Sequence, residues 1–172
     1  SAASDVYKRQ FEINPNDIPD FINLKDAFKR SLDFWSLQKS SKAKKFFENA
    51  ISTAEASKIM CLRISDFNTT GLTGSTDEYN SAWSNLTKST GASDKSGTNG
   101  GSFGIGKFAP YSCSNFRTVF YSTADETGVC AYQGVSRLTS FKNKDGEITQ
   151  GTGFYGNDKN TPVPEQFSLD PV

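Results

Sequence analysis

The chain has 172 residues, 19 basic and 19 acidic side chains, a net charge of zero and no histidine. Balanced charge excludes the basic footprint that nucleic acid or an anionic membrane requires of a binding segment. The lack of histidine excludes His-based triads, His metal sites and imidazole acid–base catalysis. The length suits one domain with a real core, and no apolar run approaches membrane-spanning length. The cysteines, Cys61, Cys113 and Cys130, form no CxxC pattern. An odd count argues for reduced thiols in a cytoplasmic protein rather than a disulfide framework.

Ser1–Gln10, SAASDVYKRQ, reads as foreign. DVYKRQ resembles the translation of a transposase sequencing-adapter end, so residues 1–10 are expected to be a scar outside the fold. Phe11–Ile13 reads as the end of a strand, and INPNDIPDF as turn material. Leu24–Leu37 has helical spacing, with Leu24, Ala27, Phe28, Ser31, Leu32 and Trp35 on one face. A second helix begins at Ser41 or Lys42. Its apolar stripe is Ala43, Phe46, Phe47, Ala50, Ile51 and Ala54. Ile59–Ser65 reads as a strand, with Asp66 directly after it. Cys61 and Cys130 fall in strand-like runs and are expected to be small core residues.

Asp77–Thr90 holds a short helix with Tyr79, Trp83 and Leu86 on one face. Ser89–Asn99 is polar and lacks any large apolar side chain, which reads as disorder or as a lid that orders over phosphates. Lys95 is a phosphate contact on the lid reading. Asn115–Thr123 and Gly128–Gly134 alternate around the turn ADETG and read as an antiparallel hairpin, with Val135–Phe141 continuing as strand. KNKDGE reads as a turn, and Ile148–Tyr155 as a strand carrying Gly151–Gly153. Pro162, Pro164 and Pro171 mark residues 161–172 as an exit linker toward a further domain.

The stretch that organises the chain is Gly100–Phe108, GGSFGIGKF. Glycines at 101, 104 and 106 let backbone N–H groups approach a ligand closely. Phe103–Ala109 is helix-compatible, and a helix start just after the glycines would turn its positive end toward a phosphate. Gly101–Lys107 also fits the first seven positions of a P-loop. The next position must be Ser or Thr to bind Mg²⁺, and here it is Phe108. The residues before it are polar and turn-rich rather than a buried strand. Both requirements fail, so the P-loop reading is rejected.

The alternative is a nucleotide site read in chain order. Asp66, at a strand end, accepts a hydrogen bond from an exocyclic amine such as that of adenine. Asn68, Thr69, Thr70 and Gly71 let a flat ring lie close. A polar lid leads to the glycine box, and Gly-Thr on a strand follows late in the chain. This order resembles the GHKL (Bergerat-fold) ATPase superfamily. DFNTTGL and GGSFGIGKFAP are similar to stretches of its MORC-like bacterial branch. The resemblance covers most of Phe11–Gly156. One departure stands out: the family pattern D-x-G-x-G has Asn68 in place of its first glycine, and Gly71 comes one place late.

Elements and resemblance together imply an α+β fold, a two-layer sandwich whose mixed or antiparallel sheet carries helices on one face. Residues 11–160 would be a partial ATP-binding domain with a lid at 73–102. The resemblance implies ATP and Mg²⁺ as ligands. Asp66 and Thr152 would hold adenine, with Asn68, Thr70 and Gly71 beside it. Gly101, Gly104, Ile105, Gly106 and Lys107 would meet the phosphates. The family's catalytic Glu and Mg²⁺-ligating Asn lie one turn apart on a helix. Glu48 and Asn49 are adjacent, about 100° apart, and cannot share one site face. The catalytic helix is therefore expected upstream of residue 11, with Asn49 the alternative metal ligand. Function is expected to be ATP binding and, in the intact protein, Mg²⁺-dependent hydrolysis that drives a conformational clamp. A nucleotide-dependent homodimer and DNA engaged through other domains, in restriction or phage defence, complete the expectation. The other class is a catalytically inactive nucleotide-sensing or protein-interaction module.

Overall fold

The computed structural model describes residues 4–77, 79–88, 106–156 and 162–164. Among them the order is β1 (Asp5–Ile13), α1 (Phe21–Leu37), α2 (Ser41–Ala54), β2 (Ile59–Phe67), α3 (Ala82–Thr87), α4 (Ala109–Cys113), β3 (Thr118–Ala124), β4 (Cys130–Arg137) and β5 (Thr152–Tyr155). The class is α+β. The described strands form two sheets, β1–β2 and β3–β4–β5, where one was expected. β1 and β2 pair over their whole length, Asp5 opposite Phe67 through Ile13 opposite Ile59, and β4 is flanked by β3 and β5. No described helix is long and apolar enough to cross a membrane. The described residues divide into two compact units, 4–70 with 138–152, and 71–137 with 153–156 and 162–164.

In the first unit, Asn14 Oδ1 accepts from the Asn16 N–H and opens a 3-10 turn with proline in its first turn, where the missing N–H costs nothing. α1 buries Phe21, Leu24, Phe28 and Ser31, the spacing of one helical face. Ser40 Oγ accepts from Ala43 N–H and caps α2. α2 buries Phe47, Ala50 and Ala54. Phe28 and Phe47 are fully enclosed, with ring centroids 6.4 Å apart, and Ile18 and Ile59 are also buried. Along β2, Ile59, Cys61, Arg63 and Ser65 are the more covered side chains, whereas Met60, Leu62, Ile64 and Asp66 are exposed, the two-residue period of a strand. DVYKRQ, expected outside the fold, forms the first six residues of β1. A β-competent hexapeptide pairs wherever a strand edge is open, so its pairing and its origin are separate matters. The KNKDGE turn forms as expected, with Asn143 Oδ1 accepting from Asp145 and Glu147 N–H.

In the second unit, Ser81 and Ser84 form a reciprocal capping box that starts α3. Trp83 on α3 and Gln133 on β4 are fully enclosed, and the indole Nε1–H donates to Gln133 Oε1 over 3.3 Å. β3 and β4 pair antiparallel from Thr118 opposite Ser136 to Ala124 opposite Cys130. Gly134 of β4 lies between Phe120 and Tyr155, whose centroids are 5.1 Å apart. A Cβ there would fall 2.7 Å from Phe120 Cε1, so the two rings close over a glycine on the middle strand. Among the described residues that follow the glycines, a 3-10 turn at Gly106–Phe108 leads into α4 at Ala109, where Pro110 suits a first turn. One expectation needs correction: Cys130 is exposed rather than in the core, because it opens β4 beside the turn rather than lying in its middle.

At that turn, Asp125 Oδ1 accepts from the Thr127 and Val129 N–H groups and from the Thr127 hydroxyl. The Thr127 side chain first, then the backbone donors, hold this carboxyl below its ordinary 3.8. A depressed folded pKa contributes stability above the unfolded value, and that stability is lost as pH falls through the folded one. Asp125→Asn is therefore expected to lower the thermal midpoint at neutral pH, with the gap closing in strong acid. A gap that persists at the lowest pH would refute the role of charge. In the first unit, Phe47→Ala is expected to cost about 3–5 kcal/mol in chemical denaturation. Ile22→Ala, on a side chain 79% exposed, should stay within about 0.5 kcal/mol.

Candidate functional site

Asp66 is the next-to-last residue of β2, opposite Val6, with its side chain exposed. The chain then turns. Asn68 adopts a left-handed backbone, φ 59°, and its Nδ2–H donates to Asp5 Oδ2 over 2.7 Å. An open depression of about 450 Å³ is lined by Asp5, Tyr7, Phe67 and Asn68. Asp66 does not line it, because alternation puts Asp66 on the opposite strand face from Phe67. Thr70 is exposed. Thr152 opens β5 and is half-buried, and Gly151 before it runs against the Leu138 carbonyl.

On α2, Glu48 and Asn49 are both exposed. Glu48 pairs with Lys44 at 3.8 Å, and the Asn49 carbonyl accepts from the Thr53 hydroxyl. Among the described residues no group of three or more His, Cys, Asp or Glu comes together.

In the second unit, Gly71 is left-handed, φ 69°. A Cβ there would fall 2.4 Å from the Ala124 carbonyl oxygen and 2.8 Å from Asp125 Cα. Leu72 N–H donates to Thr123 Oγ1 over 2.8 Å, so this segment lies along the end of β3. The lid expected to begin at residue 73 starts within a folded element. Trp83 N–H donates to the Thr73 carbonyl, the Ser81 hydroxyl to that of Gly74, and Trp83 and Thr87 have no exposed surface. Backbone bonds and an enclosed indole order residues 73–77 and 79–88 locally. Lys95, Gly101, Gly104 and Ile105 lie outside the described residues.

Of the glycine box, Gly106 and Lys107 are described. A Cβ at Gly106 would meet nothing within 4 Å. Lys107 Nζ donates to the Asn85 carbonyl over 3.3 Å and sits 5.4 Å from the Phe108 ring centroid. Desolvation, then the charge of Arg137, push its pKa down. Arg137, at the end of β4, went unnoticed in the sequence. Its guanidinium carbon lies 5.1 Å from the Phe108 centroid and 5.0 Å from that of Tyr111. Its Nη2–H reaches the Thr87 carbonyl at 3.5 Å, and its buried Nε has no acceptor among the described residues. Tyr121 donates to the Tyr111 hydroxyl over 3.1 Å, and burial raises its phenol pKa. The one sequence signal for Arg137 was a cation closing the otherwise uncharged run Gly128–Ser136.

No protein-family model matches the chain, and the searches of curated proteins and of solved structures gave no match.

The loop geometry yields a paired test. Gly71→Ala forces Cβ into backbone and holds a left-handed φ, so it should cost at least about 1–2 kcal/mol. Asn68→Gly keeps the left-handed backbone open and should change stability by less than about 1 kcal/mol. Thermal unfolding of both variants decides it. A Gly71→Ala variant as stable as the parent would mean that the loop follows another path.

Proposed function

We propose that this chain is an ATP-binding module of the GHKL type, of the MORC-like bacterial kind. The observation that carries the reading is the left-handed backbone of Asn68, φ 59°. The family pattern has its first glycine at that position. Asn is the residue that most readily follows glycine into this region. The substitution therefore keeps the backbone option that the glycine would supply, and removes the main objection to the motif. Asp66 accepts the hydrogen bond of an adenine amine, with Asn68, Thr70, Gly71 and Thr152 around the base. Gly101, Gly104, Ile105, Gly106 and Lys107 serve the phosphates. In the family pattern the sheet is covered by helices on one face as a two-layer sandwich, and that arrangement is part of the proposal.

ATP is bound with Mg²⁺, in the cytoplasm. Hydrolysis belongs to the intact protein. There, water attacks the γ-phosphate with an acidic residue as base, and a nucleotide-dependent homodimer closes as a clamp linked to DNA through other domains. Within these residues Glu48 is paired to Lys44 and Asn49 points elsewhere around the helix, so binding without turnover is the activity proposed for this segment. That geometry equally favours the second reading, a catalytically inactive nucleotide sensor.

Calorimetry of ATP with Mg²⁺ tests the proposal on the whole chain. The parent should bind. Asp66→Asn should weaken binding roughly 10- to 100-fold, the scale of a lost hydrogen bond to a charged group. Equal affinity in parent and variant would remove Asp66 from the site. No binding by a folded parent would end the ATP reading for this segment.

A further inference from the structure

We propose that Arg137 is the second cation of a polyphosphate seat built with Lys107 on the ring of Phe108. This rests on the ATP reading and names the residue that reads the phosphate end. Both cations approach the same ring, Lys107 Nζ at 5.4 Å and Arg137 Cζ at 5.1 Å. Burial first, and then the charge of Arg137, lowers the pKa of Lys107, so the two cations on this ring feel each other. Arg137 has Phe108 and Tyr111 against its guanidinium instead of a carboxylate, and no ion pair to it occurs among the described residues.

Its hydrogen bonding is equally incomplete. Among the described residues, Nε is buried without an acceptor, and the contact to the Thr87 carbonyl is long, at 3.5 Å. Buried donors are nearly always satisfied, so an orphan calls for an explanation. A multivalent anion supplies one, because it offers acceptors and a countercharge to the guanidinium at once. The planar guanidinium, already held against two rings, matches phosphate oxygens through its fork of N–H groups. Lys107 adds a point charge from the 3-10 turn next to it. Aromatic packing holds this arginine in place before ligand arrives, so little side-chain entropy remains to be lost on binding.

The test compares ATP, adenosine and inorganic tripolyphosphate on the whole chain by calorimetry. Arg137→Met keeps a long stem against the rings and removes the charge. It should weaken ATP about tenfold or more, as expected for a charge-assisted bond, weaken tripolyphosphate as much, and leave adenosine within about twofold. Arg137→Lys should recover part of the loss. Should Arg137→Met fail to fold, Lys107→Met on the same ring carries the same comparison. Unchanged ATP and tripolyphosphate affinity in these variants overturns the seat. An equal loss for ATP and adenosine also overturns it, because it marks Arg137 as structural only. Tripolyphosphate binding that depends on Arg137, with no adenosine binding, keeps the seat and sinks the ATP reading. A parent that binds none of the three sinks both.

Discussion

The second unit depends on one buried polar contact, the indole N–H of Trp83 given to Oε1 of Gln133. Both side chains are fully enclosed, so neither finds water if the other moves away. A buried donor without a partner costs about 1–3 kcal/mol, and that penalty fixes α3 against β4. Position 137 shares a strand face with Gln133 and Val135. One turn beyond Trp83 on α3 is Thr87, whose carbonyl takes the Arg137 contact. The anchor that sets α3 on β4 therefore also sets Thr87 within reach of the guanidinium. A cation stacked on Phe108 and Tyr111 then joins α4 to the same strand face.

Helices were the legible part of this sequence. α1 and α2 follow from 3.6-residue spacing, because a helix buries a stripe whatever it packs against. The β3–β4 hairpin was legible because Asp125 and Gly128 carry the turn chemistry locally. Sheet partnership was not. Alternation in Ile59–Ser65 tells which side chains share a face but says nothing of which strand lies alongside. That is why one sheet was expected where β1–β2 and β3–β4–β5 occur. The extent of β1 was missed because DVYKRQ was judged by its resemblance rather than by Val6 and Tyr7, both good strand formers.

The candidate site was legible unevenly for the same reason. Asp66 at the end of an apolar run, and Gly71 at a bend, are local features that pattern reading reaches. Asn68 needed the backbone angle, since in sequence it looked like a departure from the glycine pattern. Arg137 needed three-dimensional proximity. Nothing in GVCAYQGVSRL marks its arginine as a neighbour of Lys107, thirty residues earlier in the chain. Ser81, Ser84 and Thr87 are polar and buried, each satisfied by a hydrogen bond to its own helix or cap.

Arg137 brings stability and function into opposition. Burying part of a guanidinium without a carboxylate carries a desolvation cost that its aromatic contacts offset only in part, since an exposed cation–π pair contributes about 0.5–1 kcal/mol and a desolvated one about 2. Apolar residues of similar volume commonly replace buried charges without loss, and sometimes with a gain of about 1–4 kcal/mol. On packing grounds alone, a methionine between Phe108 and Tyr111 would serve as well as the arginine. A like-charged neighbour at Lys107 makes the arginine costlier still. The contacts among the described residues therefore do not account for a cation at this position, whereas the proposed anion would. A residue that is suboptimal for the fold and well suited to a ligand is the signature of a binding site. By that criterion the position proposed among the described residues, Arg137, is one that no sequence motif announced.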